Sequence, residues 1–483
     1  MTKHKAHKLG LSALTVVLVT ILLGACKDDL NLKPQQSLPP DDALTNIEGI
    51  ESALTGTYDL MRSTTYYGRN FLVMADVSGD NVYNNLSSNR FVPSYDYERT
   101  TFDANPRDIW IQAYRATLSC NSILSNIDNI EAEVDTKNRV KGESLIIRSL
   151  ALFDMVRSFA QPYQVGGGAQ LGVPIITQDS LTISTTTIYR PYRSPVERVY
   201  EQIIKDLSSA KQIMKEGGAI GRTSRNAATA LLSRIYLYRR ANNTDLEAVV
   251  TQASEIINSG DYSLIPTDEY LASWGENGED EAIFEFIFTK NDDRGANNIG
   301  RMYLPEGYGD IRPLNRFVDM FADNDVRKGL FQEDPQGVLY INKYPSLDGI
   351  LGLASPRVIR LAEIYLNRAE AYARLGMYDE AKADLNTIIE RATIGTFTPI
   401  DPPNDEVLDR ILLERSKELF AEGHRSYDIF RTGGDMVRYG WMSEDEGEIL
   451  FTIKTGDYNS ILAIPQRDID VNGNLVQNPG YVQ

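Results

Sequence analysis

The chain has 483 residues, 42% of them hydrophobic, and a formal net charge of −18 that becomes −21 once residues 1–25, with three lysines and no acidic residue, are removed. So acidic a chain excludes nucleic acid as a partner, because phosphate contacts need clustered Lys and Arg. Two cysteines and three histidines exclude a disulfide framework and a metal site built from several histidines, so stability must come from burial in one large domain or two merged ones.

Lys3, Lys5 and Lys8 precede an apolar run from Leu9 to Leu23, the basic-then-apolar plan of a secretory signal and too short for a membrane span. The run ends in Leu23-Gly24-Ala25-Cys26, which resembles the bacterial lipobox; residues 1–25 are then a signal peptide and Cys26 the lipid anchor. Lys27-Asp28-Asp29 looks like the short charged tag that sends lipoproteins of Bacteroidetes to the cell surface. Residues 26–40 (from Cys26 through KDDLNLKPQQSLPP) read as a polar, proline-rich tether, and acylation of Cys26 leaves Cys120 without a partner. Two or more acyl chains would hold the protein at the membrane, while an acidic globule stands off anionic head groups.

From residue 41 onward apolar residues recur at helical spacing over 41–62, 107–132, 137–160, 194–215, 225–240, 244–258, 357–375, 379–392 and 405–422. Strand-like alternation is confined to Ala282–Phe288, Glu448–Phe451 and Ile461–Ile464, so the fold is mainly α with minor β. In 365–388, small Ala369 and Ala381 mark where two antiparallel helices come close, Gly376 ends the first helix, and Tyr372 and Tyr378 fill the turn. The pattern resembles a tetratricopeptide unit, departing at Ile388. Residues 225–258 form a second such pair through Ser233, Tyr236 and Ala248, and 107–132 with Gly142–Arg157 a third. Stacked helix pairs would give a rigid scaffold, interrupted by long loops at 63–106 and 259–356.

Several ordered stretches carry a wider resemblance. They are Trp110-x-x-x-Tyr114 with Asn121-Ser122-Ile123-Leu124; Gly142-Glu143-Ser144 leading to Arg148-Ser149-Leu150; Gly221-Arg222 before Asn226–Arg234; and Glu414-Arg415 through Glu418, Glu422-Gly423, Arg425, Tyr427-Asp428, Arg431 and Gly433. The set closes with Ile464-Pro465, Asn472 and Gln477-Asn478-Pro479-Gly480-Tyr481. Together they resemble the SusD/RagB family of outer-membrane lipoproteins. The resemblance implies a single SusD-like domain over 41–483, with an N-terminal part to about residue 260 and a C-terminal part from about 261. It implies a surface protein that captures an oligosaccharide, or in the RagB manner a peptide, and passes it to a TonB-dependent transporter of SusC type without breaking a bond. No cofactor is expected, and no residue is assigned as a metal ligand.

Glu414, Glu418 and Glu422 share a helix face, as a glycosidase acid and nucleophile could, but Arg415, Arg425 and Arg431 follow closely and would hold carboxylate pKa values down, making an ion-pair network the expectation. Asp323-Asn324-Asp325 begins like a calcium loop, yet Lys328 stands where the turn glycine belongs, so an Asx-capped turn is expected. Gly166-Gly167-Gly168 lacks the context of a phosphate cradle, and Trp110 is expected in the core. A surface glycoside hydrolase and a tetratricopeptide scaffold for protein partners remain as alternatives. A ligand needs exposed rings and amide or charged side chains, which the long loops supply. The expected site residues are Tyr66, Tyr67, Tyr83, Asn84, Asn85, Asn89 and Tyr95 in the first loop, and Trp274, Asn291, Asp292, Arg294 and Tyr308 in the second.

Overall fold

The computed structural model describes residues 44–182, 189–442 and 446–481, so Cys26, the signal and the tether lie outside the described residues. The helices of eight residues or more are α1 Ile47–Met61, α2 Asn70–Val77, α3 Ala104–Asn126, α4 Val134–Phe159, α5 Val196–Ile213, α6 Arg225–Arg239, α7 Asn243–Ser259, α8 Leu361–Arg374, α9 Tyr378–Ala392, α10 Val407–Glu418 and α11 Arg425–Thr432. Side-chain caps start several of them: Asn46 accepts from Gly49 N at 2.8 Å, Ser224 from Ala227 N at 3.1 Å, and Asn242 from Thr244 N at 2.9 Å.

Consecutive helices pack side by side: α1 on α3, α3 on α4, α4 on α5, α5 on α6, and so on to α9, with α10 across α8 and α9. The three expected pairs are α3/α4, α6/α7 and α8/α9, with α5 inserted after the first. Gly376 takes a left-handed φ of +79° between α8 and α9, which a glycine adopts without steric cost. Ala369 and Ala381 are wholly buried with Leu385, Val407 and Ile411. Ile388, large where the repeat pattern prefers a small residue, packs on Ala362 and Leu366. Cys120 is buried in α3, and burial pushes its thiol up to about 12.

The strands form short antiparallel pairs. They are β1 Val82–Asn84 with β3 Ile311–Pro313, β2 Ala282–Glu285 with β8 Arg357–Arg360, β4 Phe331–Glu333 with β5 Leu339–Ile341, β6 Ser346–Leu347 with β7 Ile350–Leu351, and β9 Met436–Tyr439 with β10 Ile449–Ile453. Strands β1, β3 to β7 and β9 and helix α11 form where no element was expected, and three further segments differ. Residues 357–360 are strand β8, buried throughout, and the helix begins only at Leu361. Ile461–Ile464 is no strand: Leu462 N donates to Ser158 O and Ile464 N to the Gln477 side chain, leaving no ladder. Helix α2 lies inside the expected loop 63–106, and each of its residues is buried.

The three glutamates form an ion-pair network, but with other arginines than those adjacent in sequence. Arg327 meets Glu414 at 2.6 Å and Glu418 at 2.8 Å; Arg360 meets Glu418, Glu281 and Glu422 at 2.6, 2.6 and 2.7 Å; Arg391 also meets Glu418 and Glu281; Lys343 meets Glu422 at 2.7 Å. Arg415, Arg425 and Arg431 turn instead to Asp428, Asp80 and Glu370. Burial alone would raise the Glu422 carboxyl, but Arg360 and Lys343 outweigh it and bring it down to about 2. Asp325 caps a 3-10 turn through Arg327 N and pairs with Arg327 and Lys417, as the Asx reading expects. Trp110 is in the core, edge-on to Phe159.

Candidate ligand-binding face

Five of the expected site residues are core residues. Tyr66 is buried and its hydroxyl donates to Asp154 Oδ2 at 2.7 Å, while Tyr67 packs against Tyr66, Phe71 and Phe286 at 5.0, 5.2 and 5.0 Å. Asn84 is buried, donating to Arg90 O at 2.8 Å and accepting from Leu86 N at 2.9 Å. Tyr95 lies buried beneath the Arg438 guanidinium at 3.9 Å. Trp274, 5% exposed, is boxed by Lys343 at 4.1 Å and Arg357 at 4.3 Å. The loops are long enough to hold an apolar layer of their own, and these residues build it against the helices.

The others are partly or fully exposed. Pairing of β1 with β3 sets Tyr83 opposite Arg312, and Asn85 continues the contact by donating to Gly309 O at 3.0 Å. Tyr83 is partly buried and stacks on Trp441, with centroids 4.5 Å apart and planes 13° from parallel. Strand β9 carries Tyr439 beside it, and the Arg316 guanidinium lies 3.4 Å over that ring. Next to Gly309, Tyr308 is partly exposed with the Arg90 guanidinium 3.3 Å over its face. Arg69 is near both; burial first, and then the like charge of Arg90, lower its pKa to about 10. Among the described residues neither Arg69 nor Arg90 makes an ion pair. Arg69 instead donates to Asn297 at 2.6 Å and Asn70 at 2.8 Å.

The Arg69–Asn297 bond leads to the remaining expected residues. Arg294 donates to Thr64 at 2.7 Å, and Asp292 pairs with Arg62 at 2.7 Å while closing a capping box with Thr289. Asn89 and Asn291 are exposed. These residues supply stacked rings, amides and two cations free of carboxylate partners among the described residues, which suits a ligand rich in hydroxyl groups. Trp441, Tyr439, Arg316, Arg69 and Arg90 were not among the expected residues.

A sequence model of the SusD family matches residues 333–481, and one described as starch-binding, associating with outer membrane, matches residues 28–237. A SusD superfamily protein of known structure from Bacteroides vulgatus is 30% identical and superposes with a TM-score of 0.81, over 91% of this chain and 100% of that one. The chain belongs to the SusD family. SusD-like protein P2 of Formosa agariphila is 23% identical over 97% of this chain and 99% of its own length. The starch-binding protein SusD of Bacteroides thetaiotaomicron is 33% identical over 129 residues, 26% of this chain and 21% of that protein. In this SusD-family chain no helix among the described residues is long and apolar enough to cross a membrane.

Proposed function

We propose that this SusD-family protein captures a glycan at the outer face of the cell and hands it to a TonB-dependent channel of SusC type. The observation that carries the reading is the partly exposed Tyr83–Trp441 stack, supported by the partly exposed rings of Tyr439 and Tyr308 under Arg316 and Arg90. Rings present apolar faces to sugar C–H groups, and guanidinium and amide groups donate to hydroxyls or ring oxygens. The starch-binding description of a matching family model and the name of the B. thetaiotaomicron relative support a carbohydrate ligand. These names give no support to a peptide ligand.

The reading is of binding without catalysis. Glu414, Glu418 and Glu422, the best placed carboxylates in the sequence, are buried among arginines, and the arginines lower the Glu418 and Glu422 carboxyls, the opposite of the shift a general acid requires. Cys26 supplies the lipid anchor, and a tether of about fourteen residues spans at most roughly 50 Å, which keeps the globule within reach of a membrane-embedded partner. The test is twofold. The protein should be retarded in gels cast with at least one polysaccharide of a panel led by starch, and gentle detergent extraction of its native membrane should co-purify a large β-barrel. Migration unchanged across the panel would overturn glycan capture, and recovery only as a free monomer would overturn delivery to a channel.

A further inference from the structure

A cavity of about 300 Å³ opens between helices α10 and α11 and the short helix Asn315–Val318. That is the lower end of the range of small-molecule sites, roughly 300–1,000 Å³. Its apolar wall is accessible, since Leu412 and Leu413 of α10 are partly exposed and Met320 is exposed. Most of the charges around it are already matched, Asp80 with Arg425 at 2.5 Å and Asp428 with Arg415 at 2.8 Å. Two are left over. Arg316, partly exposed, and Asp435, exposed, both line the cavity, and neither makes an ion pair among the described residues.

Arg316 joins this cavity to the ring stack. The same guanidinium lies 3.4 Å over Tyr439, and two residues further on Trp441 stacks on Tyr83. Strand β9 covers the path between. Its Met436 and Arg438 are buried while Val437 and Tyr439 are partly exposed, so the two-residue period of a strand turns Asp435, Val437 and Tyr439 outwards together. From Asp435 to Tyr439 a strand rises roughly 13 Å, which is more than one sugar ring spans. At the cavity end the one cation and the one anion balance each other, so a neutral ligand suits it. The carboxylate accepts from hydroxyls, the guanidinium donates to them, and the leucine and methionine side chains cover C–H edges.

We propose that a glycan chain held at the Tyr83–Trp441 stack continues along β9 and places a neutral sugar unit in this cavity, between Arg316 and Asp435, so that the protein selects chains of several units over single sugars. This rests on the glycan reading above and adds a second subsite to it. The experiment is isothermal titration of the full chain with a length series of fragments, made by partial hydrolysis of whichever polysaccharide retards the wild type, maltose to maltoheptaose if that is starch. Affinity should rise with length. Leu413→Trp, which fills the cavity, and Asp435→Asn, which removes the unpaired anion, alter side chains that are partly or fully exposed, so the fold should survive both. Each should lower affinity for the longest fragments several-fold and leave that for the shortest binding fragment unchanged. Long-fragment affinity unchanged in both variants, or lowered no more than that of the shortest fragment, overturns the second subsite and leaves glycan capture standing. A wild type that binds no glycan overturns both.

Discussion

Trp274 and Trp441 occupy opposite settings. Trp274 fills a buried box of cations and rings, so Trp274→Ala should cost about 3–5 kcal/mol in denaturant unfolding through the cavity it leaves. Trp441 is partly exposed in the candidate ligand site, and Trp441→Ala should shift the unfolding midpoint far less. Equal losses in the two variants would contradict the assignment. Two buried groups set the acid response. Burial holds His424 down to about 3 against an ordinary 6.5, and pushes Asp76 up to about 8 against 3.8. As pH falls from 6.5 to 4.5 the unfolded chain gains the His424 proton that the folded chain refuses, which lowers stability. Over the same window folded Asp76 keeps a proton that the unfolded chain lacks, which raises stability; each effect is about 1.4 kcal/mol per pH unit, so the two offset. Below 4.5 the carboxyls of Glu370 and Glu422, which their arginines bring down to about 2 despite burial, lose their contribution as pH falls. Calorimetry should therefore show a melting temperature nearly flat from pH 6.5 to 4.5 and a steep fall below, and Asp76→Asn should tilt the flat part downward on acidification. A wild type that declines steadily across that window would contradict the offset.

At the scale of elements, the buried network ties β8, α9, α10, the residue before β2 and the segment after α10 through Glu281, Arg360, Arg391, Glu418 and Glu422. Removing one charge strands its partners, so Glu418→Gln should destabilise by about 3–5 kcal/mol, read from urea unfolding, and a loss under 1 kcal/mol would show that the partners regroup. The sequence announced that Glu414, Glu418 and Glu422 would be ion-paired because arginines crowd the same stretch. It could not announce which arginines, since Arg327 and Arg360 come from strand and turn segments 50 or more positions earlier. Amphipathic helices such as α5 and α9 were legible from their spacing, whereas α2 is buried on every side and has no polar face to mark its period. Strand β8 was read as the start of α8 because its apolar residues run straight into the helix. Loop aromatics were legible as a group but not singly: nothing in the spacing of Tyr67 and Tyr83 tells that one meets Phe286 in the core and the other Trp441 at the surface. Trp441 and Tyr439 escaped notice because their partners come from segments more than 100 residues away.

For the whole molecule, the helical stack and the loop layer share one apolar cluster that runs from Ile50 to Leu475, so the ligand face rests on the same core as the scaffold. On the proposal that Cys26 carries a lipid, Cys26→Ser should release the protein from the membrane fraction or leave it unprocessed, and retention of mature protein at the surface would contradict lipid attachment. The central claim is that the face of Tyr83, Trp441 and Tyr308 holds the glycan. Stacking on a ring is worth on the order of 1 kcal/mol, so loss of two rings should weaken binding by roughly tenfold or more. The most direct measurement is affinity electrophoresis in whichever polysaccharide retards the wild type, comparing it with the double variant Trp441→Ala, Tyr308→Ala at matched folded fraction. The double variant should be retarded far less than the wild type, and retardation equal to that of the wild type would place the site elsewhere.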